Sequence, residues 1–167
     1  EYGGRQIKTP PGDGTRPTTD RVREAMFSSL QSELGGFDGI RVLDLFAGSG
    51  ALGLEALSRG AASADFVESD SRVAAVIKRN IADLVPSSDV RANAKVLRST
   101  VERFVRVPPP QPYDLVFLDP PYALGTDEVT ALVAALAVPA WRTPDSVIVV
   151  ERSTRDPFTW PEGVDGL

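Results

Sequence analysis

Arg41-Val42-Leu43-Asp44-Leu45-Phe46-Ala47-Gly48-Ser49-Gly50 decides the fold of this 167-residue chain. Apolar residues from Arg41 to Leu45 read as a buried strand, and the helical pattern Ala51–Arg59 follows at once. Between them, glycines let the backbone turn tightly and approach a ligand that faces the helix amides. Strand, glycine turn and helix are the start of a βαβ unit, and the rest of the chain repeats the alternation. Further strands are expected at Ala64–Glu68, Ala94–Leu97, Asp114–Leu118 and Ser146–Val150, and helices at Thr19–Leu34, Ser71–Leu84, Val101–Val105 and Asp127–Ala137. The expected fold is α/β, a mostly parallel sheet with helices on both faces. In the first helix Val22, Met26, Phe27 and Leu30 fall at helical spacing, with Thr18 or Thr19 as cap and Asp20 in the first turn. Residues 1–18 lie outside the alternation and read as an arm, in which only Arg5–Lys8 is extended.

The second informative stretch is Asp119-Pro120-Pro121-Tyr122, which ends the apolar run Leu115–Leu118. Proline does not continue a central strand, so the acid and the ring are held at the carboxyl edge, where open α/β sheets bind ligands. An acceptor and a flat stacking surface one short loop apart suit a planar heterocycle bearing an exocyclic amine. The plain alternative is a strand ended by two prolines.

Composition narrows the chemistry. Cysteine and histidine are both absent, which removes disulfides, thiolate metal sites, Ser-His and Cys-His nucleophiles and the common zinc sets. The missing thiolate also excludes the covalent route to C5 of a pyrimidine. No metal is expected. The apolar segments are too short and too often charged to span a bilayer, no secretory signal is visible, and a cytoplasmic location is expected. The net charge of −5 argues against nucleic acid. Its distribution does not: residues 72–106 hold eight basic against three acidic residues, and residues 107–167 three against nine. Solvated helix faces account equally well for Arg72, Lys78 and Arg79.

Extended to Gly53, the glycine stretch also matches G-x-G-x-x-G, the dinucleotide pattern. Glu68, 18 residues after Gly50, suits the ribose hydroxyls of NAD and of an adenosine cofactor alike. Asp44 separates the two readings, because at a strand end its charge opposes a pyrophosphate and attracts an ammonium or sulfonium. S-adenosylmethionine carries ribose, ammonium and sulfonium, and so matches each polar group. Asp44, Phe46, Ala47, Gly48, Ser49, Gly50, Glu68 and Ser69 are the candidate cofactor contacts. Thr100 and Val101, after the third strand, are the candidates at the adenine; a hydroxyl accepts from its amine less strongly than a carboxylate.

The chain resembles the RsmD-type 16S ribosomal RNA guanine-N2 methyltransferases. The likeness rests on TRPTTDRVRE (residues 15–24), LDLFAGSGALGLEALSRG (43–60) and Asp119–Tyr122, spread over most of the chain. It implies methyl transfer from S-adenosylmethionine to the exocyclic amine of one guanine in the small ribosomal subunit or its assembly intermediate. Residues 19–167 then form the methyltransferase domain behind the arm. The likeness places Asp119, Pro120, Pro121 and Tyr122 at the base, and Arg16, Thr18, Arg21 and Arg23 at the substrate entrance. Arg5 and Lys8, whose pattern calls for no packing, are candidate phosphate contacts. The family pattern also has an opening strand and a closing antiparallel hairpin, which are expected to be absent or truncated here.

The guanine amine is a poor nucleophile, since its lone pair is delocalised into the ring. Asp119 and the Pro120 carbonyl are expected to accept its two N–H bonds, and Tyr122 to stack on the extruded base. Three other readings stay open. An adenine-N6 DNA methyltransferase shares the carboxylate and ring but needs a target-recognition domain. A silent RNA-binding module would not need the cofactor loop, and a nicotinamide dehydrogenase would bind NAD.

Overall fold

The computed structural model describes residues 5–9, 16–85, 88–121 and 123–153; of the side chains of residues 5–9, 16–20, 152 and 153 nothing is said. Among the described residues six strands alternate with six helices: β1 (Arg5–Thr9), α1 (Arg16–Leu34), β2 (Arg41–Leu45), α2 (Ala51–Ser58), β3 (Ser63–Val67), α3 (Ser71–Leu84), α4 (Ser88–Ala92), β4 (Ala94–Leu97), α5 (Val101–Phe104), β5 (Tyr113–Leu118), α6 (Thr126–Leu136) and β6 (Arg142–Ser153). They form one sheet in the order β1-β6-β5-β2-β3-β4, and every neighbouring pair is parallel.

A parallel sheet is covered on both faces, and the apolar residues divide accordingly. On one face Phe27 and Leu30 of α1, Leu54 and Leu57 of α2 and Ile77 of α3 pack on Val42, Phe66 and Phe117. On the other, Val129, Leu132, Val133 and Leu136 of α6 pack with Trp141 on Leu43, Leu45, Val116 and Ile148. Met26, Phe27 and Leu30 are buried as their spacing predicts. Phe27 stacks obliquely on Phe37 and Phe117, each 5.7 Å away between ring centroids.

Three boundaries differ from the sequence reading. Arg5–Thr9 is an edge strand paired with Val149–Ser153 of β6, rather than an arm; its partner is supplied by the far end of the chain. Helix α1 begins at Arg16, so Thr18 and Thr19 lie within it rather than ahead of it, and the expected break at residue 18 falls inside a helix. Pro17 explains the earlier start, since its fixed φ and missing N–H suit a first helical turn. Strand β6 opens at Arg142, with Tyr113↔Arg142 followed by Leu115↔Val147. The irregularity accommodates Pro144, and the Ser146 hydroxyl accepts from Thr143 N at 2.7 Å. The closing hairpin, expected to be absent or truncated, falls outside the described residues.

Candidate active site

The strand order brings the functional groups into one row. Reading across the carboxyl edge, β6 leads to Glu151, β5 to Asp119, β2 to Asp44 and the glycine loop, β3 to Glu68, and β4 to Thr100. Leu45 of β2 pairs with Leu118 of β5 and with Val67 of β3. Asp119 and Glu68 therefore flank the loop from opposite sides.

The loop itself is set by local backbone demands. Phe46, Gly48 and Gly50 have φ of 57°, 57° and 82°, a region glycine enters freely. A Cβ on Gly48 would meet nothing within 4 Å, so the space above it is open to a ligand. Gly53 has another reason to be glycine. A Cβ there would stand 2.4 Å from Phe66 Cε2, because α2 lies directly on β3. Glu68 ties the arrangement together: its Oε1 accepts from Gly48 N at 3.0 Å and its Oε2 from Asp70 N at 3.1 Å. Asp70 in turn caps α3, accepting from Arg72 N and Val73 N. Each carboxylate oxygen retains a lone pair for a ribose hydroxyl.

Asp44 is 1% exposed, and its Oδ2 accepts from Gly53 N at 3.0 Å. That amide belongs to the first turn of α2, among the donors a dinucleotide pyrophosphate would use. The Asp44 carboxyl occupies it, and the site suits a cofactor without phosphate. Burial pushes the Asp44 carboxyl up to about 8, helped by the charges of Asp119 and Glu68 and opposed by the Gly53 amide. The simple attraction of a cation expected from the sequence is thus conditional: near neutral pH this carboxyl is largely protonated until a positive group joins it. An acid whose pKa is raised on folding binds more protons folded than unfolded, so stability falls as pH rises from about 4 to about 8. The side-chain amide of Asp44→Asn keeps an acceptor without the charge. This variant is expected to flatten the pH dependence of urea unfolding over that window, by at most about 1.4 kcal/mol per pH unit. An unchanged slope would show that Asp44 is ionised in the fold.

The remaining candidates are placed as follows. Ser49 and Ser69 are exposed, while Phe46 and Ala47 are half-buried against the two cores. The Thr100 hydroxyl accepts from Arg103 N at 3.2 Å as cap of α5, and Val101 is 3% exposed within the core. Pro120 is buried and Pro121 exposed, its carbonyl accepting from Leu124 N. Tyr122 lies outside the described residues, as do the side chains of Arg5, Lys8, Arg16 and Thr18. Arg21 opens on a cavity shared with Arg23, Glu24 and Glu55, so its surroundings are mixed in charge. No cluster of metal-ligating side chains and no helix long and apolar enough to cross a membrane occurs among the described residues.

Glu151, whose sequence position suits a loop cap as readily as a substrate contact, stands beside Asp119. The register Leu118↔Val150 sets the two side by side, close enough that each alters the other's titration. Asp119 is exposed at the sheet edge; the partial burial of its carboxyl raises it and Glu151 beside it lowers it. The strand pattern marks Glu151 as a candidate, but only the pairing of β5 with β6 sets it beside Asp119.

A Rossmann-like sheet, a phosphate-excluding glycine loop and an acid row at its carboxyl edge define an S-adenosylmethionine-dependent methyltransferase. The model of the family described as Conserved hypothetical protein 95 matches residues 1–165. Ribosomal RNA small subunit methyltransferase D of Haemophilus influenzae is 38% identical over 160 residues, covering 95% of this chain and 79% of that protein. Its Escherichia coli namesake is 39% identical over 151 residues, covering 90% and 71%. The solved structure of a proposed methyltransferase from Escherichia coli superposes with a TM-score of 0.70 at 38% identity, covering 93% of this chain and 79% of the other. The chain belongs to the Conserved hypothetical protein 95 family.

Proposed function

We propose that this enzyme methylates the N2 amine of a guanine in 16S ribosomal RNA, in the cytoplasm, with the small subunit or an assembly intermediate as substrate. The observation that carries the proposal is the β2–β5 pairing, which sets Asp119 directly beside the glycine loop. The similarity to small-subunit ribosomal RNA methyltransferases supports the class of substrate. The cofactor supplies an electrophilic methyl carbon on a sulfonium. Glu68 and Ser69 hold its ribose side, the loop from Phe46 to Gly50 and Asp44 its methionine side, and the Thr100-Val101 turn its adenine. Asp119 and the Pro120 carbonyl accept the two N–H bonds of the base amine, orienting its lone pair and stabilising positive charge that develops on nitrogen. Holding nucleophile and methyl carbon in line supplies the other large share of the rate.

The test is labelled methyl transfer to undermodified small subunits, followed by nucleoside digestion. Label in N2-methylguanosine supports the proposal. Label in N6-methyladenine moves the enzyme to the adenine class, and binding without transfer to a silent module. Arg5 and Lys8 are proposed as phosphate contacts of β1. The double variant Arg5→Ala/Lys8→Ala is expected to lower the slope of log affinity against log salt by between about one and two. An unchanged slope removes β1 from the RNA interface.

A further inference from the structure

The in-register pairing Leu118↔Val150 sets Asp119, just past the end of β5, beside Glu151 of the adjacent parallel strand β6. That register sets the two carboxyls side by side, close enough that each alters the other's titration. A hydrogen bond between two carboxyl groups needs a proton, because two carboxylates in contact repel and one of them stays protonated. Neither group reaches this state through the local sequence; the pairing of β5 with β6 creates it.

We propose that Glu151 is the positioning residue of the methyl-transfer site, its carboxylic acid donating to one oxygen of Asp119 and leaving the other ionised for the amine of the substrate base. The proposal rests on the guanine-N2 reading above and adds a residue to it. The groups facing the pair are Asp44 from β2, whose charge couples to Asp119, and Arg23 from α1, whose charge acts on Glu151. Ile7 of β1 is the register partner of Glu151. Burial and the negative charge of Asp119 both raise the Glu151 carboxyl, to about 8, and Arg23 opposes them. On this proposal Glu151 holds the shared proton and Asp119 remains the acceptor.

The arrangement does two things for the reaction. It fixes the Asp119 side chain in one orientation, since an unrestrained carboxylate would rotate about its χ torsions. It also gives the departing proton a defined place. As the new C–N bond forms, the S–C bond breaks with its electron pair retained by sulfur. The N–H bond of the methylated amine then gives its proton to Asp119 and its electron pair to nitrogen. The pair now holds two protons, and returns one to solvent before the next turnover.

The experiment compares wild type, Glu151→Gln and Glu151→Ala in methyl transfer to undermodified small subunits over pH 5 to 9, with the ¹³C carboxyl signal of Glu151 followed separately in cofactor-free protein. In wild type, ionisation of Glu151 disrupts the pair, so kcat is expected to fall on the alkaline side near pH 8. The amide introduced by Glu151→Gln still donates an N–H to Asp119 and does not ionise. That variant is therefore expected to keep kcat within about tenfold and to lose the alkaline limb. Glu151→Ala is expected to lose about a hundredfold in kcat with little change in KM for cofactor or RNA. The Glu151 signal is expected to titrate well above the ordinary carboxyl range, and to return toward it in Asp119→Asn. Formation of N2-methylguanosine with an unmoved pH profile in Glu151→Gln and an ordinary Glu151 titration would overturn the inference while leaving the guanine reading intact. Label in another nucleoside would overturn the guanine reading, with the carboxyl titration still deciding whether the pair shares a proton.

Discussion

Asp119→Ala is expected to abolish methyl transfer while leaving S-adenosylmethionine affinity nearly unchanged. Asp119 follows β5 at the carboxyl edge, while the glycine loop and Glu68 belong to β2 and β3. Truncating Asp119 leaves the hydrogen bonds from Gly48 N to Glu68 and from Gly53 N to Asp44 intact. Under the proposed function the substrate amine, by contrast, would lose the acceptor that orients it and takes its proton, a role worth about 10²–10⁴ in rate. Removing the Asp119 charge also relieves Asp44 slightly, since the two repel. Calorimetric titration with the cofactor, set beside single-turnover transfer, separates the effects. Equal loss of binding and turnover would make Asp119 structural.

Gly53→Ala is expected to lower both stability and cofactor affinity, although alanine is intrinsically the better helix residue by about 1 kcal/mol. The new Cβ would lie 2.4 Å from Cε2 and 2.8 Å from Cζ of Phe66, a ring that is completely buried. Phe66 packs in the same core as Ile77, Phe27 and Phe117, so the ring has no free space to enter. Overpacking of this kind costs about 1–3 kcal/mol, and α2 relieves it by lifting off β3. That movement carries Gly53 N away from Asp44 and disturbs the loop ahead of the helix. A net loss of about 1–2 kcal/mol corresponds to a fall in Tm of several degrees for a chain of this size. Adding Phe66→Leu should restore part of it, which a double-mutant cycle by thermal unfolding measures. A Gly53→Ala protein as stable as wild type would show that the helix and sheet have room to spare.

The chain's own pattern was sufficient where burial imposes a period. Val42, Leu43 and Leu45 read as a central strand because both faces of a parallel sheet are covered, and they are fully buried. Met26, Phe27 and Leu30 read as one helix face for the same reason. The glycine loop was legible because positive φ restricts residue choice, and Asp119 because two prolines end its strand. Strand β1 was legible only as a short extended piece, not as a member of the sheet. Arg5-Gln6-Ile7-Lys8-Thr9 is short and mostly polar, and an edge strand is held largely by main-chain hydrogen bonds that leave little mark on side-chain sequence. The short helix α4, with no buried residue, was missed because it has no apolar face to set a period.

By itself the sequence determined the α/β alternation, the glycine loop after β2 and the acid after β5, since each follows from demands met within a few residues. Tertiary structure decided the rest. The order β6-β5-β2-β3 placed Glu151, Asp119, Asp44 and Glu68 side by side, though more than a hundred positions separate the first from the third. Burial together with that crowding raises Asp44 and Glu151 to about 8. Charge state is a property of surroundings, and for these carboxyls the surroundings exist only once the strands have paired.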